Sequence, residues 1–374
     1  MPLPRQATPY ASAPQASAPL REATITGTGH YVPARVIPNA ELSARLGEDI
    51  DDFVSNTLGI RERRVCAPDE STADLAEHAA RAALADARLD PQDIDLLIVA
   101  TDTPEYVSPA TSSVLHGRLG TWRAGTFDVN SGCAGFVTAL DVAWKYLRAD
   151  PRYQRVLVVG AYAMSKFLDY GDKKTSTIFA DGAGAVVLEA SDAPGILASE
   201  LFADGTLCEG MGVFAGGTAE PVDAAVLESG YRNRLRFVKK YPASVNEEGW
   251  PRIARSVLAR IGAAPEDVDH WLWTQVNLST IRSVMETLGQ PMAKAHTIMG
   301  KWGYTGSACL PMALDDLAHG GSGGPGIAPG ALLLLTGSGA GLSMGCVALR
   351  WNPTRGMTAA DSADAADAAR EART

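Results

Sequence analysis

Hydrophobic and polar positions along the chain predict buried strands that alternate with helices. Two continuous apolar runs, VLVVGA at 156–161 and LLLLTG at 332–337, are typical of strands that are buried on both faces of a sheet. Upstream of the first run, apolar residues recur at helical spacing over 134–143 and predict a buried helix. This alternation predicts an α/β fold.

The chain contains an internal repeat with an offset of 174 residues. The segment PQDIDLLIVATDT at 91–103 matches PEDVDHWLWTQVN at 265–277, each with an acidic start followed by a strand pattern. A duplication of this kind predicts two similar α/β halves, 23–193 and 194–351, related by a pseudo-twofold axis. Their strand ends and loops are expected to form one shared cleft.

The composition is that of a globular protein and excludes several classes of function. Of 374 residues, 46% are hydrophobic and 20% are charged, and the formal net charge is −10. Such a chain, without a Lys/Arg-rich stripe, is not expected to bind nucleic acid, and no run approaches the ~18 apolar residues of a membrane span. The Pro/Ala/Ser-rich and Ala/Asp-rich ends, 1–22 and 352–374, are predicted to be disordered tails. Five irregularly spaced cysteines argue against a disulfide framework or a metal site and favour a reducing cytoplasm.

A candidate nucleophile lies in the segment DVNSGCAGF at 128–136. The segment predicts a strand, a sharp turn at Ser131 and Gly132, and a helix that begins at Cys133. Unpaired N–H groups and the positive end of the helix dipole would then lower the pKa of the thiol. The alternative is a structural role, because free cysteines are usually small core side chains. The other four cysteines are interpreted as core residues: Cys66, Cys208, Cys309 and Cys346.

In the order of its motifs, the chain resembles the thiolase superfamily and, within it, the β-ketoacyl-acyl-carrier-protein synthase III branch. The matching segments are GTGHYVPARVIPNAEL, GIRERRV, TDTPEYVSPATS, DVNSGCAGF, IFADGAGAVVL, GYTGSACLP and GSGAGLSMGCVALRW. The resemblance implies a thiolase-like fold whose two halves form five layers, α-β-α-β-α. It also implies that Cys133 accepts an acyl group from a thioester, and that the N–H groups of Cys133 and Ala340 form the oxyanion hole.

The resemblance further implies a homodimer. In the family, a segment that corresponds to TDTPEYVSPATS, at 101–112, reaches from each subunit toward the acyl pocket of the other. Ser108 stands where the family often has a bulkier gate residue, so a roomier acyl pocket is expected.

Two positions depart from the family pattern. The family uses a histidine, in a His-Gln-Ala-Asn run, and an asparagine, in a Gly-Asn-Thr run, to stabilise the enolate formed when a malonyl thioester loses carbon dioxide. Thr274 and Tyr304 stand at these positions, while Asn277 keeps the family residue and is a candidate substrate contact. Neither hydroxyl is a base near neutral pH. His296, eight residues before Tyr304, is the best candidate for another base; a strand histidine with a backbone partner is the equal alternative.

The family's contacts with coenzyme A are also altered. Phe53 and Thr57 replace a tryptophan and an arginine, and Lys173 replaces a later arginine. Lysine and threonine do not reproduce the bidentate phosphate contacts of arginine, so a phosphopantetheine thioester on an acyl carrier protein is favoured over free coenzyme A as the donor. Carrier proteins are usually acidic, and RNRLRFVKK at 232–240 is the candidate docking run, although such runs are commonly solvated helix faces. No cofactor other than this donor is expected.

These features predict an acyltransferase of the synthase III type in specialised, polyketide-type biosynthesis. It would load an acyl chain on Cys133 and pass it to a small-molecule or carrier-bound acceptor without decarboxylating malonate, as in the glyceryl coupling that leads to tetronates. Two alternatives stay open. One is a decarboxylative synthase in which Tyr304, His296 or water replaces the missing pair, and the other is a non-catalytic partner subunit.

Overall fold

The structure, a computed structural model, describes residues 20–242 and 244–352. Its strands are β1 (Glu22–Tyr31), β2 (Arg35–Pro38), β3 (Glu62–Val65), β4 (Leu96–Ala100), β5 (Gly125–Val129), β6 (Arg155–Ala163), β7 (Asp181–Ser191), β8 (Ile196–Ala203), β9 (Met211–Gly212), β10 (Arg236–Phe237), β11 (His270–Trp273), β12 (Leu332–Gly339) and β13 (Ser343–Arg350). Its helices are α1 (Asn39–Leu46), α2 (Asp51–Phe53), α3 (Thr72–Ala87), α4 (Thr111–Leu119), α5 (Gly135–Ala149), α6 (Lys173–Ser176), α7 (Ala224–Glu228), α8 (Ser244–Arg260), α9 (Leu278–Thr287), α10 (Met299–Trp302) and α11 (Cys309–Ala318). None of these helices is long and apolar enough to cross a membrane.

Two mixed sheets form the framework, and the four strands of the second repeat the order of the first four strands of the five-stranded first sheet. In the first sheet, β1-β7-β6-β4-β5, the strand β4 is parallel to β5 and β6, and β7 is antiparallel to β6 and β1. The second sheet, β8-β13-β12-β11, repeats this pattern, with β11 parallel to β12 and β13 antiparallel to β12 and β8. The duplicated α/β arrangement that the sequence predicts is therefore confirmed.

The helices and sheets form five layers, which pack together through three hydrophobic clusters. The helix α3 packs on the outer face of the first sheet, α5 and α11 lie between the sheets, and α8 and α9 pack on the outer face of the second. The strand β4 shows why its run is apolar throughout. Leu96 and Ile98 belong to the central cluster, whereas Leu97 and Val99 belong to the cluster under α3, so both faces of the strand are buried.

The element boundaries differ from the sequence predictions at two places. The helix α5 begins at Gly135 and not at Cys133, because residues 131–134 form a turn in which the Gly135 N–H donates to the Gly132 carbonyl oxygen at 2.9 Å. The strand β1 begins at Glu22, and Arg21 donates to the carbonyl oxygen of Leu147 at 2.6 Å, so these two residues of the first predicted tail are ordered. Residues 1–19 of that tail, and all of the second tail beyond residue 352, lie outside the described residues.

All five cysteines are free thiols. Cys309 and Cys346 are buried, as predicted, but Cys66 is half-buried and Cys208 is exposed. The interpretation of Cys208 as a core residue is wrong. Cys208 lies in a surface turn after β8, where it is not surrounded by apolar side chains.

Candidate active site

Cys133 lies at the carboxyl ends of two parallel strands, the usual place for a site in an α/β sheet. Strands β4 and β5 pair with Ala100 opposite Val129, and the chain then turns before α5. The side chain of Asn130 stabilises this turn, since its Oδ1 accepts a hydrogen bond of 3.2 Å from the Gly132 N–H. Gly132 has φ of 52°, a conformation that other residues rarely adopt. The turn therefore fixes Cys133 between the two sheets.

The glycine-rich loop after β12 packs directly on this turn. A Cβ added to Gly339 would lie 2.3 Å from the Cys133 nitrogen, and one added to Gly132 would lie 3.0 Å from the Ala340 nitrogen. Only glycine permits the two backbones to approach so closely. Neither the Cys133 N–H nor the Ala340 N–H donates a hydrogen bond to another residue of the described chain. Both are thus free to stabilise an oxyanion.

The Cys133 thiol lines a cavity of about 210 Å³. Thr274, Tyr304 and Ala340 line the same cavity, so the structure brings together four of the five predicted catalytic residues. Most of the remaining wall is apolar. One of its aromatic side chains, Phe179, packs against the Tyr304 ring. Within the described part of the chain, no histidine contributes to this wall.

Tyr304 is held in place by hydrogen bonds to the first half of the chain. Its N–H donates to the carbonyl oxygen of Ile178 at 3.1 Å, and its own carbonyl oxygen accepts from the Ala180 N–H at 2.8 Å. The side chain is buried and packs against Phe179. Its hydroxyl hydrogen-bonds with the Cys133 sulfur, which lowers the pKa of the Cys133 thiol. Tyr304 and Cys133 line the same cavity, so this hydroxyl lies beside the reacting atom.

Thr274 connects the ends of β11 and β12. Its Oγ1 accepts a hydrogen bond of 2.8 Å from the Ser338 N–H, and its own N–H donates to the carbonyl oxygen of Thr336 at 3.0 Å. Ser338 immediately precedes the loop that carries Ala340. Thr274 thus positions the loop that carries Ala340, and its hydroxyl hydrogen remains available for a further bond.

The expectation that the Cys133 thiol has a lowered pKa is wrong. Burial raises the pKa of this thiol well above its ordinary value, and the Asp102 carboxylate raises it further. The side chain is only 3% exposed, and α5 begins two residues later, so loss of hydration outweighs the helix terminus and the Tyr304 hydroxyl. The resting thiol is therefore protonated, and its proton must leave as the thioester is attacked.

His296 does not line the Cys133 cavity. Its Nε2 bonds with Asp316 Oδ2 at 2.9 Å, and Lys301 donates to the other oxygen of the same carboxylate at 2.5 Å. Its ring faces a separate cavity of about 330 Å³ that His270 also lines. The prediction of His296 as the base at Cys133 is wrong, because the His296 N–H donates to the Trp271 carbonyl oxygen and the ring is captured by Asp316 on α11.

Two predicted substrate-binding residues also lie outside the Cys133 cavity. The Asn277 carboxamide oxygen caps α9 by accepting a hydrogen bond of 2.9 Å from the Ser279 N–H. Asn277 is therefore committed to the helix terminus instead of a substrate. Ser108 is exposed in the segment between β4 and α4 and does not contribute to the wall of the cavity within this chain.

Phe53 and Lys173 line a second cavity, of about 730 Å³, at the surface. Phe237 and Tyr241 line both this cavity and the Cys133 cavity, so the two cavities lie side by side. Four lysines line the outer cavity: Lys173, Lys174, Lys239 and Lys240. The last two belong to the predicted docking run, which forms β10 and its flanking turns and not a helix face.

The sequence patterns do not single out three polar residues near the thiol. Asn246 and Ser338 line the cavity, and the Ser338 hydroxyl donates to Asn246 Oδ1 at 2.9 Å, which leaves the amide N–H groups of Asn246 available. Asp102 follows the end of β4 and acts electrostatically on Cys133. The position of Asp102 just after a fully apolar strand could have identified it as a candidate, because functional residues of α/β sheets commonly lie at strand ends. Asn246 gave no such signal, because it lies in a segment without a recognised motif.

Comparison with known proteins assigns the family. Sequence models of 3-oxoacyl-[acyl-carrier-protein (ACP)] synthase III match residues 127–205, and models of its C-terminal domain match 258–351. The chain is 37% identical over 335 residues to a β-ketoacyl-[acyl-carrier-protein] synthase III of Rhodobacter capsulatus, covering 88% of this chain and 99% of the relative. It is 38% identical over 338 residues to a 3-oxopimeloyl-[acyl-carrier-protein] synthase of Rhodothermus marinus, covering 90% and 95%.

Solved structures agree with this assignment. The priming β-ketosynthase of the R1128 polyketide biosynthetic pathway superposes with a TM-score of 0.80 at 30% identity, covering 91% of this chain and 99% of that one. The synthase III of Pseudomonas aeruginosa gives 0.79 at 34% identity, covering 89% and 99%. The thiolase-like fold is thereby confirmed. The chain belongs to the 3-oxoacyl-[acyl-carrier-protein] synthase III family.

Proposed function

We propose that this protein is an acyltransferase of the synthase III type that takes an acyl group from a carrier-protein thioester onto Cys133 and passes it to an acceptor without decarboxylating a malonyl group. The acceptor is a small molecule or a carrier-bound unit, and tetronate-type glyceryl coupling is one task of this kind. The observation that carries the proposal is the cavity itself: it combines a thiol and two free backbone N–H groups with hydroxyl groups in place of an imidazole.

The first half-reaction is supported by the contacts of the thiol. The Tyr304 hydroxyl hydrogen-bonds with the Cys133 sulfur and favours the thiolate as the thioester arrives. The N–H groups of Cys133 and Ala340 are placed to stabilise the oxygen of the tetrahedral intermediate. The donor thiol then leaves, and the acyl group remains on Cys133 as a thioester.

A carrier-protein donor is supported by the outer cavity. Lys174 and Lys240 form no ion pair with a described residue, so their charges are available to the acidic surface or the phosphate of a donor. Lys173 and Lys239 pair with Glu48 and Glu209. The outer cavity adjoins the Cys133 cavity at Phe237 and Tyr241, which suits a thin phosphopantetheine arm that enters at the surface and carries its thioester at the end.

Transfer without decarboxylation is supported by the polar groups that surround the thiol. Loss of carbon dioxide from a malonyl thioester creates an enolate oxygen that must be stabilised by strong donors. Here the Thr274 hydroxyl already accepts the Ser338 N–H, and the Tyr304 hydroxyl is engaged with the Cys133 sulfur. No histidine lines the cavity among the described residues, so the side-chain donors left for an enolate oxygen are the uncharged Thr274 hydroxyl and Asn246 amide.

The test of this function is intact-protein mass spectrometry after incubation with octanoyl and malonyl carrier proteins. We expect a persistent octanoyl adduct on the wild-type enzyme that does not require or consume malonyl groups. Cys133→Ala is expected to remove the adduct at an unchanged melting temperature, and Cys208→Ala, which removes an exposed thiol, is the matched control. An adduct of equal occupancy on the Cys133→Ala variant would contradict the role of Cys133.

A decarboxylative synthase is the second candidate, and the likeness to synthases of Rhodobacter capsulatus and Rhodothermus marinus favours it. It predicts that the octanoyl adduct disappears when malonyl carrier protein is added, with a condensed product on the carrier. A non-catalytic partner subunit predicts that no adduct forms with either donor. The same experiment therefore separates the three functions.

A further inference from the structure

Three polar residues form a connected strip in the wall of the Cys133 cavity: Thr274, Ser338 and Asn246. The Ser338 N–H donates to Thr274 Oγ1 at 2.8 Å, and the Ser338 hydroxyl donates to Asn246 Oδ1 at 2.9 Å. Ser338 thus holds one residue on each side, and it precedes Ala340 by two positions on the same loop. The strip therefore lies next to the proposed oxyanion site.

The unpaired polar atoms of this strip are hydrogen-bond donors. The Asn246 amide oxygen is occupied by the Ser338 hydroxyl, whereas the amide nitrogen keeps accessible surface and has no hydrogen-bond partner among the described residues. The hydroxyl hydrogen of Thr274 is also free, because its Oγ1 accepts the bond from Ser338. Free N–H and O–H groups select a ligand group that accepts hydrogen bonds, such as a carbonyl oxygen.

The charge of the cavity wall restricts the ligand further. Among the residues that the structure describes, no lysine, arginine, histidine, aspartate or glutamate lines the Cys133 cavity. A carboxylate or an ammonium group would therefore lose hydration there without gaining an ion pair, which is costly. The acceptor that reaches the thiol is thus expected to be uncharged. A hydroxyl is favoured over an amine as its reactive group, because a free amine is largely protonated near neutral pH.

Asn246 lies on the side of the cavity that adjoins the surface. Tyr241 lines both the Cys133 cavity and the outer cavity. Val245 and Asn246 continue this wall at the start of α8. A unit that is carried on a phosphopantetheine arm presents the carbonyl oxygen of its thioester at the end of that arm. The free donors of Asn246 and Thr274 are therefore available to this oxygen as the acceptor enters.

We propose that Asn246 selects the acceptor by donating its amide N–H groups to the carbonyl oxygen of an uncharged hydroxyacyl thioester, with the Thr274 hydroxyl as a second donor. This inference rests on the acyl-enzyme of the proposed function. The hydroxyl oxygen of the bound acceptor bonds to the thioester carbonyl carbon of acyl-Cys133, and the C–S bond breaks. The hydroxyl proton passes to the sulfur, so the products are an ester and the free thiol.

The test uses the full chain and a pair of acceptors that differ at one carbonyl group. Acyl-enzyme is formed with octanoyl-N-acetylcysteamine, excess donor is removed, and loss of the octanoyl mass is followed with time. The acceptors are glycoloyl-N-acetylcysteamine and its 2-hydroxyethyl thioether, in which a methylene group replaces the carbonyl. For the wild type, the second-order rate constant of discharge is expected to be at least ~10-fold larger with the glycoloyl compound, because a site with hydrogen-bond donors discriminates against an analogue that lacks the acceptor.

Asn246→Leu is expected to lower this ratio of rate constants at least ~5-fold, because leucine has a similar size but no N–H to donate. Asn246→Asp still accepts the bond from the Ser338 hydroxyl but also lacks an N–H, so it is expected to lower the ratio as well. Asn56→Leu, which removes the amide of an exposed residue that lines neither cavity, is the matched control and should keep the wild-type ratio. A purely structural role of Asn246 would slow both acceptors equally and leave the ratio unchanged.

Three results would overturn the inference while leaving the proposed function intact. The first is a ratio within about twofold of the wild-type value in Asn246→Leu, or in Asn246→Asp if the leucine variant does not fold. The second is a wild type that does not prefer the glycoloyl compound, and the third is an octanoyl adduct that neither acceptor discharges. Failure of the wild type to form the octanoyl adduct would instead overturn the proposed function and this inference with it.

Discussion

Two residues act on the sulfur of Cys133 with opposite signs. The hydrogen bond from the Tyr304 hydroxyl lowers the pKa of the thiol, and the carboxylate of Asp102 raises it. Burial adds to the effect of Asp102, so the resting thiol is protonated. The thiol therefore lines the cavity in its protonated form, and the Tyr304 hydroxyl favours its deprotonation.

Tyr304→Phe tests this balance at the level of one hydroxyl. The variant fills the same space but removes the bond to the sulfur, so we expect the pH midpoint of Cys133 alkylation to rise by about one unit and acylation at pH 7 to slow by about tenfold. Tyr153→Phe, on an aromatic residue that packs beside Tyr146, is the control and should change neither. Equal alkylation profiles for Tyr304→Phe and the wild type would show that the hydroxyl does not act on the sulfur.

The sequence could identify most residues around the thiol but not their electrostatics. Four residues of the cavity can be identified from motifs whose order is retained along the chain: Cys133, Thr274, Tyr304 and Ala340. The pKa of the thiol was misjudged because burial depends on both halves of the molecule. His296 was misplaced for a related reason: its distance along the chain from Tyr304 does not specify which side of the second sheet its ring faces.

At the scale of elements, the close contact between the Gly339 loop and the Cys133 turn is the critical one. Both loops follow strands of different sheets, β12 and β5, and their backbones meet where neither could carry a side chain. The contact brings together the Cys133 and Ala340 N–H groups, which we propose as the oxyanion site, without any side chain of its own. Adding one methyl group at this contact should therefore separate the two N–H groups and slow the acylation of Cys133.

Gly339→Ala is expected to reduce the rate of Cys133 acylation by at least ~10-fold, because the new methyl group would collide with the Cys133 nitrogen and separate the two N–H groups. The matched control is Gly217→Ala, since a Cβ at Gly217 meets no atom within 4 Å. Stopped-flow or quench measurement of adduct formation gives both rates. Acylation of Gly339→Ala at the control rate would contradict the assignment of the oxyanion site.

The repeat predicted the elements well where both copies keep the same local signals. The 3₁₀ turns begin at Pro91 and Pro265, and α5 and α11 begin at Gly135 and Cys309, each pair separated by the offset of 174. The second sheet nevertheless has no counterpart of β5. The equivalent segment, 299–303, contains two glycines, of which Gly303 has φ of 76°, and it forms the short helix α10 instead. Matching the two repeats in the sequence could not reveal that the second sheet lacks this strand.

At the scale of the whole molecule, the site uses both halves. The first half supplies Cys133 and Phe179, the second supplies Thr274 and Ala340, and Tyr304 reaches back to pair with Phe179. The outer cavity likewise combines α6 of the first half with the segment after β10 of the second. Carrier recognition and acyl transfer are therefore expected to depend on both halves staying docked.

The outer lysines give a test of the donor. Lys174→Glu combined with Lys240→Glu is expected to raise KM for octanoyl carrier protein by at least ~10-fold and to leave octanoyl-N-acetylcysteamine within twofold, because only the carrier has an acidic surface to repel. Lys294→Glu, which makes the same charge change on an exposed residue away from the cavity, is the control. An equal rise in KM for both donors would indicate damage to the thioester route instead of carrier recognition.

We expect the protein to be a homodimer. The segment between β4 and α4 exposes Tyr106 and Val107 to 55% and 88% in the single chain, an unusual exposure for adjacent apolar residues. Light scattering on the purified protein should give twice the chain mass at micromolar concentration, and Val107→Asp should shift it toward the monomer. A monomeric wild type at that concentration would contradict this prediction.

The most direct test of the central claim is the release of carbon dioxide from malonyl carrier protein labelled in its free carboxyl group, measured beside discharge of the octanoyl group from Cys133. The account predicts that discharge to the acceptor proceeds while carbon dioxide release stays at the level of the Cys133→Ala variant. Release of one carbon dioxide for each octanoyl group lost from Cys133 would contradict it and identify the enzyme as a decarboxylative synthase.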